Sequence, residues 1–248
     1  MSSPTTTSKQ DQKLGGHRAL HSLVGLALGL IAAVLVWACL QRMHPVFRVP
    51  KEYDVPSIGM PPERFAAFRR QRDFVDRKHA MLYLGALGLL VAAALAIREV
   101  TKTGSWLALL LAPPLGAAGG AAGGVFGCLV YEYVRAHVGQ AELLHNVIAQ
   151  LVVAVPLGLG IGLGLGLGTR TLGGTGKAAL AGVMAGLLAS ALFPVTISVF
   201  FPAAGSDSLL PEESTSRLLW LAMLGGTIGL VIPTAERKRT VAPQPSPA

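Results

Sequence analysis

Charge is scarce in this sequence, and it is missing altogether from the long apolar segments. Only 14% of the 248 residues are charged, whereas a soluble domain carries roughly 25%. Aromatic residues make up 6% of the chain and hydrophobic residues 52%. The hydrophobic residues are gathered in blocks rather than spaced at the period of a soluble core. This composition excludes a disordered chain and an ordinary soluble enzyme.

Cysteine is nearly absent as well. The two cysteines, Cys39 and Cys128, both fall within apolar blocks. Their number and spacing exclude a disulfide framework and match no metal-binding pattern. We interpret both as small hydrophobic residues of membrane helices.

None of the six apolar blocks contains Asp, Glu, Lys, Arg or His. A functional site at depth in a membrane normally contains one of these despite its cost, so proton pumps, carboxylate-coupled antiporters, intramembrane aspartyl proteases and zinc-dependent membrane proteases are disfavoured. Outside the blocks, Glu142 with His145 and His17 with His21 have the spacing of helical metal ligands but lack further ligands nearby. We therefore predict no catalytic residue, no metal and no cofactor, and a protein that is not an enzyme.

What the sequence does contain is six uncharged blocks that can cross a bilayer. A transmembrane helix needs about 20 residues, because each residue rises ~1.5 Å across a ~30 Å hydrocarbon core. The two shortest blocks can span if His79, Arg98 and Arg217 beside them reach toward the interfaces. The sequence predicts an all-α, polytopic transmembrane bundle of six spans, with five or seven as the alternatives. The spans are 22–40, 81–97, 106–130, 147–168, 178–201 and 218–233.

Proline occurs inside three of these predicted spans. Pro113 and Pro114 lie early in 106–130, where each ring crowds the preceding turn and removes a backbone donor. Neighbouring helices can satisfy the freed carbonyls, so we expect a kink there, with a re-entrant loop as the alternative. Pro156 and Pro194 predict similar kinks in the next two spans.

The distribution of Lys and Arg gives only a narrow preference for orientation. Basic residues collect on cytoplasmic loops, and six spans place both termini on one side. That side holds ten Lys and Arg, spread over a basic tail (1–21), a disordered tail (234–248) and two short connections, whereas the other side holds eleven, nine of them in 41–80. Four separate segments carry the basic residues of the first side, whereas a single long loop carries most of those of the other side. We therefore predict a multi-pass cell-membrane protein with both termini cytoplasmic.

The extramembrane loop 41–80 is the one region large enough for structure outside the bilayer. Its first half is rich in proline and should be extended. Its second half predicts an amphipathic helix over 62–78, since Pro62 and Glu63 make a good first turn. This basic helix can lie on anionic lipid headgroups. The alternatives, a solvated helix packed on the other loops or a continuation of span two, are slightly preferred. No nucleic-acid-reading module is present, so nucleic acid is not an expected partner.

Glycine spacing is the most informative pattern within the spans. Gly116, Gly120 and Gly124 recur every four residues, which places them on one face of a helix. A neighbouring helix can approach such a face backbone to backbone. A parallel series, Gly119, Gly123 and Gly127, lies beside it and widens the smooth surface.

The fourth span carries the same spacing twice. Gly158, Gly162 and Gly166 form one series, and the series that begins at Gly160 lies about 200° around a helix of 3.6 residues per turn. A helix that is smooth on two nearly opposite faces should lie between two neighbours. The pattern predicts a closely packed bundle with glycine-rich contacts between helices. Besides the lipid bilayer, such a bundle can bind further copies of this chain or another membrane protein.

Two functions remain compatible with the sequence. The first is a non-enzymatic membrane scaffold or accessory subunit. The second is a small permease or channel for a neutral or weakly polar solute, for which Gln150 and Thr196 are the candidate polar lining. The first is preferred because no residue within the spans resembles a binding group.

Overall fold

The fold was analysed on a computed structural model, which describes residues 5–53, 61–138, 143–200, 209–211 and 213–235. All regular structure within these ranges is helical: six α-helices and one short 3₁₀ turn at Lys51–Tyr53. Each α-helix contains a stretch long and apolar enough to cross a membrane. The predicted all-α membrane-spanning fold is confirmed. The helices are α1 (Thr5–Met43), α2 (Pro62–Thr103), α3 (Trp106–Val138), α4 (Leu143–Gly168), α5 (Leu172–Phe200) and α6 (Ser214–Ala235).

The helices continue through their internal prolines. Pro113 and Pro114 lie inside α3, which is helical from Trp106 to Val138, and Pro156 and Pro194 lie inside α4 and α5. Apolar surroundings favour this outcome because a helix satisfies its backbone groups internally. The alternative of a re-entrant loop at 113–114 is therefore not adopted.

Helix boundaries extend beyond the apolar blocks. α1 begins at Thr5, within the predicted tail 1–21, and α5 begins at Leu172 rather than at 178. The largest difference is α2, in which the predicted amphipathic helix 62–78 and the predicted span 81–97 form one helix of 42 residues. Such a helix is about 63 Å long at ~1.5 Å per residue, more than twice the thickness of a hydrocarbon core.

A glycine ends this long helix. Gly104 has a φ of 70°, and its N–H donates to the carbonyl of Val100 at 2.8 Å. A left-handed residue at a helix end favours glycine because no Cβ meets the backbone. The short turn that follows leads directly into α3.

The helices form a bundle in which α4 occupies the middle. α3 lies between α2 and α4, α4 lies between α3 and α5, and α6 packs against both α5 and α1. The helices alternate in direction, which gives the bundle two ends. We call the end where α1 begins and α6 finishes the terminal end, and the opposite end, where α1 finishes and α2 begins, the loop end.

Outside its apolar portion, α2 stays beside α3. Near the loop end the Arg77 guanidinium Nε lies 2.9 Å from the Glu132 carboxylate of α3, and Val75 is buried. An unbroken helix continues along its axis, so this portion of α2 leaves the bilayer beside α3. Among the interpretations considered for 62–78, the continuation of span two is favoured.

Large apolar side chains fill the bundle and also cover its outside. Leu157 of α4 and Trp220 of α6 are fully buried, whereas Ile31, Leu110 and Leu180 are more than half exposed. Apolar surface of this extent is unusual on a monomeric soluble protein. Contact with the lipid bilayer accounts for it.

Candidate functional site

Gly116, Gly120 and Gly124 of α3 face α2. A Cβ atom on Gly116 would overlap the carbonyl oxygen of Gly88, and one on Gly124 would lie 2.7 Å from the carbonyl carbon of Ala80. Gly120, between them, abuts the α2 backbone in the same way. Because the backbones themselves touch, a side chain at these positions would have to push the two helices apart.

The second glycine series of α3 faces α4 instead. A Cβ on Gly119 would overlap the carbonyl oxygen of Pro156, and one on Gly123 would overlap that of Val153. The two series therefore make contacts with two different helices. α3 is held on both sides by backbone approach rather than by interlocking side chains.

The corresponding series of α4 divide in the same manner. Gly158 and Gly162 abut the α5 backbone at Gly182 and Ala178, and a Cβ on Gly166 would lie 2.6 Å from the Cα of Thr175.

On the other side, Gly160 and Gly164 of α4 abut the α3 backbone, where a Cβ on Gly160 would be 3.1 Å from the Cα of Gly119. Since α4 is enclosed on two opposite faces, the space beside it is filled by main chain. The α3–α4 and α4–α5 contacts leave little width for a solute between these helices.

The two candidate lining residues have different surroundings. Gln150 is buried, and its side-chain oxygen accepts a hydrogen bond from the indole N–H of Trp220 at 2.8 Å. Its amide nitrogen donates to the carbonyl of Leu209 at 3.5 Å. Thr196 is half-buried on α5. The two described hydrogen bonds of Gln150 are made with Trp220 and Leu209 and not with Thr196. Gln150 thus ties α4 to α6 and to the segment before it.

A buried arginine, Arg217, lies at the loop end, about one helical turn along α6 from Trp220, the partner of Gln150. Arg217, in the first turn of α6, is only 2% exposed. Its Nε donates to the carbonyl of Pro211 at 3.1 Å, and its Nη1 donates to Gln41 Oε1 at 3.2 Å and to Tyr83 Oη at 3.3 Å. The guanidinium also lies 5.4 Å from the centre of the Tyr83 ring. Burying a charge requires such compensation, and here α1, α2 and the segment before α6 supply it.

Two histidines extend this group toward the connection after α1. The rings of His44 and His79 are 5.2 Å apart, and His44 also meets the edge of Tyr83 at 6.4 Å. The Nε2 atom of His79 accepts the backbone N–H of Phe47 at 3.1 Å. We call Gln41, His44, His79, Tyr83 and Arg217 the polar cluster.

Electrostatics at His44 favour the neutral imidazole. Burial, and secondly the positive charge of Arg217, lowers the pKa of His44 below its usual 6.5. Its Nδ1 atom is buried without a hydrogen-bond partner among the described residues. A neutral ring beside a cation tolerates this position better than a charged one.

Reasoning from the sequence did not identify the polar cluster. It placed His79 and Arg217 at the interfaces, reaching outward, whereas both side chains are buried in the bundle. One signal was available: His79 and Tyr83 are four residues apart, and so are neighbours on one helical face. The rest could not be found, because Gln41 and Arg217 are distant in the chain and meet only when α1 and α6 pack together.

The terminal end has simpler polar contacts. Arg98 donates to His21 through both the ring nitrogen Nδ1 and the backbone carbonyl, each at 3.0 Å. No group of three or more potential metal ligands occurs among the residues that the structure describes. Glu142 lies outside the described residues, and the side chains of His145 and His17 are likewise not described, so neither candidate pair can be placed.

Comparison with known protein families, with curated proteins and with solved structures finds no match to this chain.

Proposed function

We propose that this protein is a membrane scaffold or accessory subunit that works through its packing surfaces and not through chemistry or transport. The observation that carries the proposal is the position of α4, whose Gly162 and Gly160 abut main chain on opposite sides. A transport path needs either space or unpaired polar groups within the membrane. Gln150, the polar residue of the predicted span 147–168, is already bonded to Trp220 and Leu209.

A flux measurement separates this function from the alternative of a permease or channel for a neutral solute. Purified protein would be reconstituted in liposomes, and the rates of glycerol and urea entry would be followed by light scattering. We expect rates equal to those of protein-free liposomes. Faster entry that depends on Gln150, tested with Gln150→Ala, would reject the scaffold proposal and support a permease.

A scaffold or accessory subunit must also have a protein partner. Extraction of native membranes into polymer-bounded nanodiscs, followed by mass measurement of the intact particle, gives the stoichiometry of any complex. We expect a particle that contains a second membrane protein, or further copies of this 25.7 kDa chain, in a fixed ratio. A particle with one copy of the chain and lipid alone would contradict the accessory-subunit proposal.

Lipid contact through α2 is a second part of the proposal. The outward side of α2 carries Met81 and Phe74, both partly exposed, with Lys78 Nζ 4.3 Å from the Phe74 ring centre. One helical turn further lies the exposed side chain of Arg70. These residues extend about 4–17 Å beyond Met81 along the helix axis. Met81 begins the predicted span, so the near end of this range falls at the depth of the headgroups. Anionic phospholipid headgroups fit this basic and aromatic surface.

Melting temperature in nanodiscs of defined lipid tests the lipid contact. A cation near the membrane surface gains about 1 kcal/mol from anionic lipid, so phosphatidylglycerol should stabilise the protein relative to phosphatidylcholine alone. Lys78→Gln should lose much of that gain. Arg64→Gln, at the exposed far end of α2, is the matched control and should keep it. Equal gains for both variants would refute a contact at Lys78.

A further inference from the structure

The polar cluster and the connection after α1 are joined by a contact that depends on protonation. The backbone N–H of Phe47 is always a donor, so its bond to His79 requires an unprotonated Nε2. When His79 gains a second proton, Nε2 becomes a donor and faces another donor. The bond is then lost and the two groups repel each other.

His79 lies in a cluster that already contains a cation. The His44 ring faces it at 5.2 Å from the connection after α1, and Arg217 of α6 bonds to Tyr83, one turn along α2 from His79. Lys78, on the neighbouring position of α2, has its Nζ 5.5 Å from the centre of the Phe47 ring.

Three carboxylates of the described ranges each have a described partner. Asp76 lies 4.0 Å from Arg72 Nε, and Glu132 lies 2.9 Å from Arg77 Nε. Glu213, next to α6, accepts a hydrogen bond from Ser216 Oγ at 3.3 Å. Protonation of the histidines adds positive charge to a cluster that already holds the buried guanidinium of Arg217.

We propose that His44 and His79 form a pH-sensitive contact that holds residues 44–53 against the loop end of the bundle near neutral pH and releases them on acidification. Release would change the surface that the loop end presents, because Phe47 and the 3₁₀ turn Lys51–Tyr53 are held there through this connection. The trigger is a proton, and no metal or ligand is required. This inference does not depend on the proposed scaffold function.

The sign of the pH effect follows from His44. Its folded-state pKa is below its usual 6.5, so between those two values the unfolded chain binds a proton that the folded chain does not. The contribution of His44 to stability is therefore fully present above pH 6.5 and falls as the pH decreases through that window. Acidification weakens the folded cluster, in the direction that release requires.

Hydrogen–deuterium exchange of the 44–53 segment tests the proposal. Labelling of the purified full-length protein at pH 7.5 and at pH 5, with times scaled for the chemical exchange rate, should show protection of the Phe47 amide only at the higher pH. We expect a loss of protection on the order of tenfold or more, since each pKa unit changes a protonation ratio tenfold. Equal protection at both pH values in the parent protein would overturn the proposal.

Variants identify the titrating group. His79→Gln keeps an acceptor at the same reach and cannot be protonated, so the loss of Phe47 protection on acidification should shrink to the part that His44 contributes. His137→Gln is the control, because this exposed histidine bonds only within α3, to the Tyr133 carbonyl, in the contacts described; it should behave as the parent. A loss in His79→Gln as large as that of the parent would overturn the assignment.

A second variant keeps the test decisive if His79→Gln fails to give a folded protein by size exclusion and melting. His44→Gln removes the positive charge that His44 would gain on acidification and leaves His79 in place. The midpoint of the protection change should then move to higher pH. An unchanged midpoint would show that the two histidines do not act together.

Discussion

At Gly88 and Gly85, two positions of α2 within one helical turn of each other, the same added methyl group meets different surroundings. A Cβ on Gly88 would overlap the carbonyl oxygen of Gly116, whereas one on Gly85 would lie 3.5 Å from the carbonyl oxygen of Ala117, an ordinary contact. We predict that Gly88→Ala destabilises the protein by about 1–3 kcal/mol, as overpacking does. Gly85→Ala should be neutral or favourable because alanine is the better helix former.

The comparison is made by thermal unfolding of both variants and the parent in one detergent. Helix, depth and substitution are matched, so differences in membrane partitioning largely cancel. Equal melting temperatures for Gly88→Ala and Gly85→Ala would mean that the α2–α3 backbone contact does not resist separation.

Tyr83 offers a matched pair of the same kind for the polar cluster. Its hydroxyl oxygen accepts from buried Arg217, and its side chain is fully buried. Tyr83→Phe keeps the ring and removes the acceptor, so we predict a loss of about 1.5–3 kcal/mol, the usual value of a hydrogen bond to a charged group. Tyr133→Phe, at a residue 65% exposed on α3, should melt like the parent. A Tyr83→Phe variant as stable as Tyr133→Phe would show that Arg217 does not depend on this bond.

Individual residues also mark how far sequence reasoning reaches. The four-residue spacing of Gly158, Gly162 and Gly166 is local information, and any helix must place these residues on one face. The identity of the facing helix is not local. Arg217 illustrates the difference, since arginine at the end of an apolar block normally extends to the interface, and only the arrival of Gln41 and Tyr83 provides an alternative within the bundle.

Among the helices, α4 gives the sharpest test of close packing in the middle of the bundle, because its two glycine faces are about 200° apart. Gly162 abuts α5 and Gly160 abuts α3. We predict that Gly162→Leu and Gly160→Leu both lower the melting temperature in detergent, since each drives a side chain into a neighbouring backbone. At Gly176 of α5, where an added Cβ meets nothing within 4 Å, leucine should be tolerated.

The result distinguishes a central helix from a peripheral one. If one face of α4 met lipid, leucine on that face would be neutral or favourable, because leucine partitions well into the membrane. A destabilised Gly162→Leu beside an undisturbed Gly160→Leu would leave α4 packed on α5 alone. The filled space on which the scaffold proposal rests would then be absent.

The extent of α2 shows why helix boundaries were harder to predict than helices. The change from charged to apolar residues near 80 was interpreted as a boundary between two elements. No proline or glycine occurs between Glu63 and Leu84, however, so nothing in the backbone requires the helix to stop there. Hydropathy reports where the lipid ends, and helix propensity together with packing decides where the helix ends.

For the whole molecule, the orientation in the membrane depends on which basic residues are counted. The loop end holds eleven Lys and Arg and the terminal end ten, which decides nothing. Three of them are engaged in contacts within the bundle: Arg217 is buried and Arg77 pairs with Glu132 at the loop end, and Arg98 donates to His21 at the terminal end. Setting these aside leaves nine at each end. The prediction of cytoplasmic termini therefore rests on the spread of basic residues over four separate segments, since cytoplasmic loops carry the excess of basic residues.

Single cysteines at exposed positions test that orientation in a background whose two native cysteines are replaced by alanine. Glu52→Cys and Glu63→Cys report on the loop end, and Thr103→Cys and Thr171→Cys report on the terminal end; all four positions are exposed. None of these changes removes a Lys or Arg, so the charge balance that sets orientation is preserved. An impermeant maleimide added to intact cells should label the first two, and the last two only after permeabilisation. Labelling of Thr103→Cys and Thr171→Cys in intact cells, with Glu52→Cys and Glu63→Cys protected, would show that the basic loop 41–80 determines orientation and that both termini face outward.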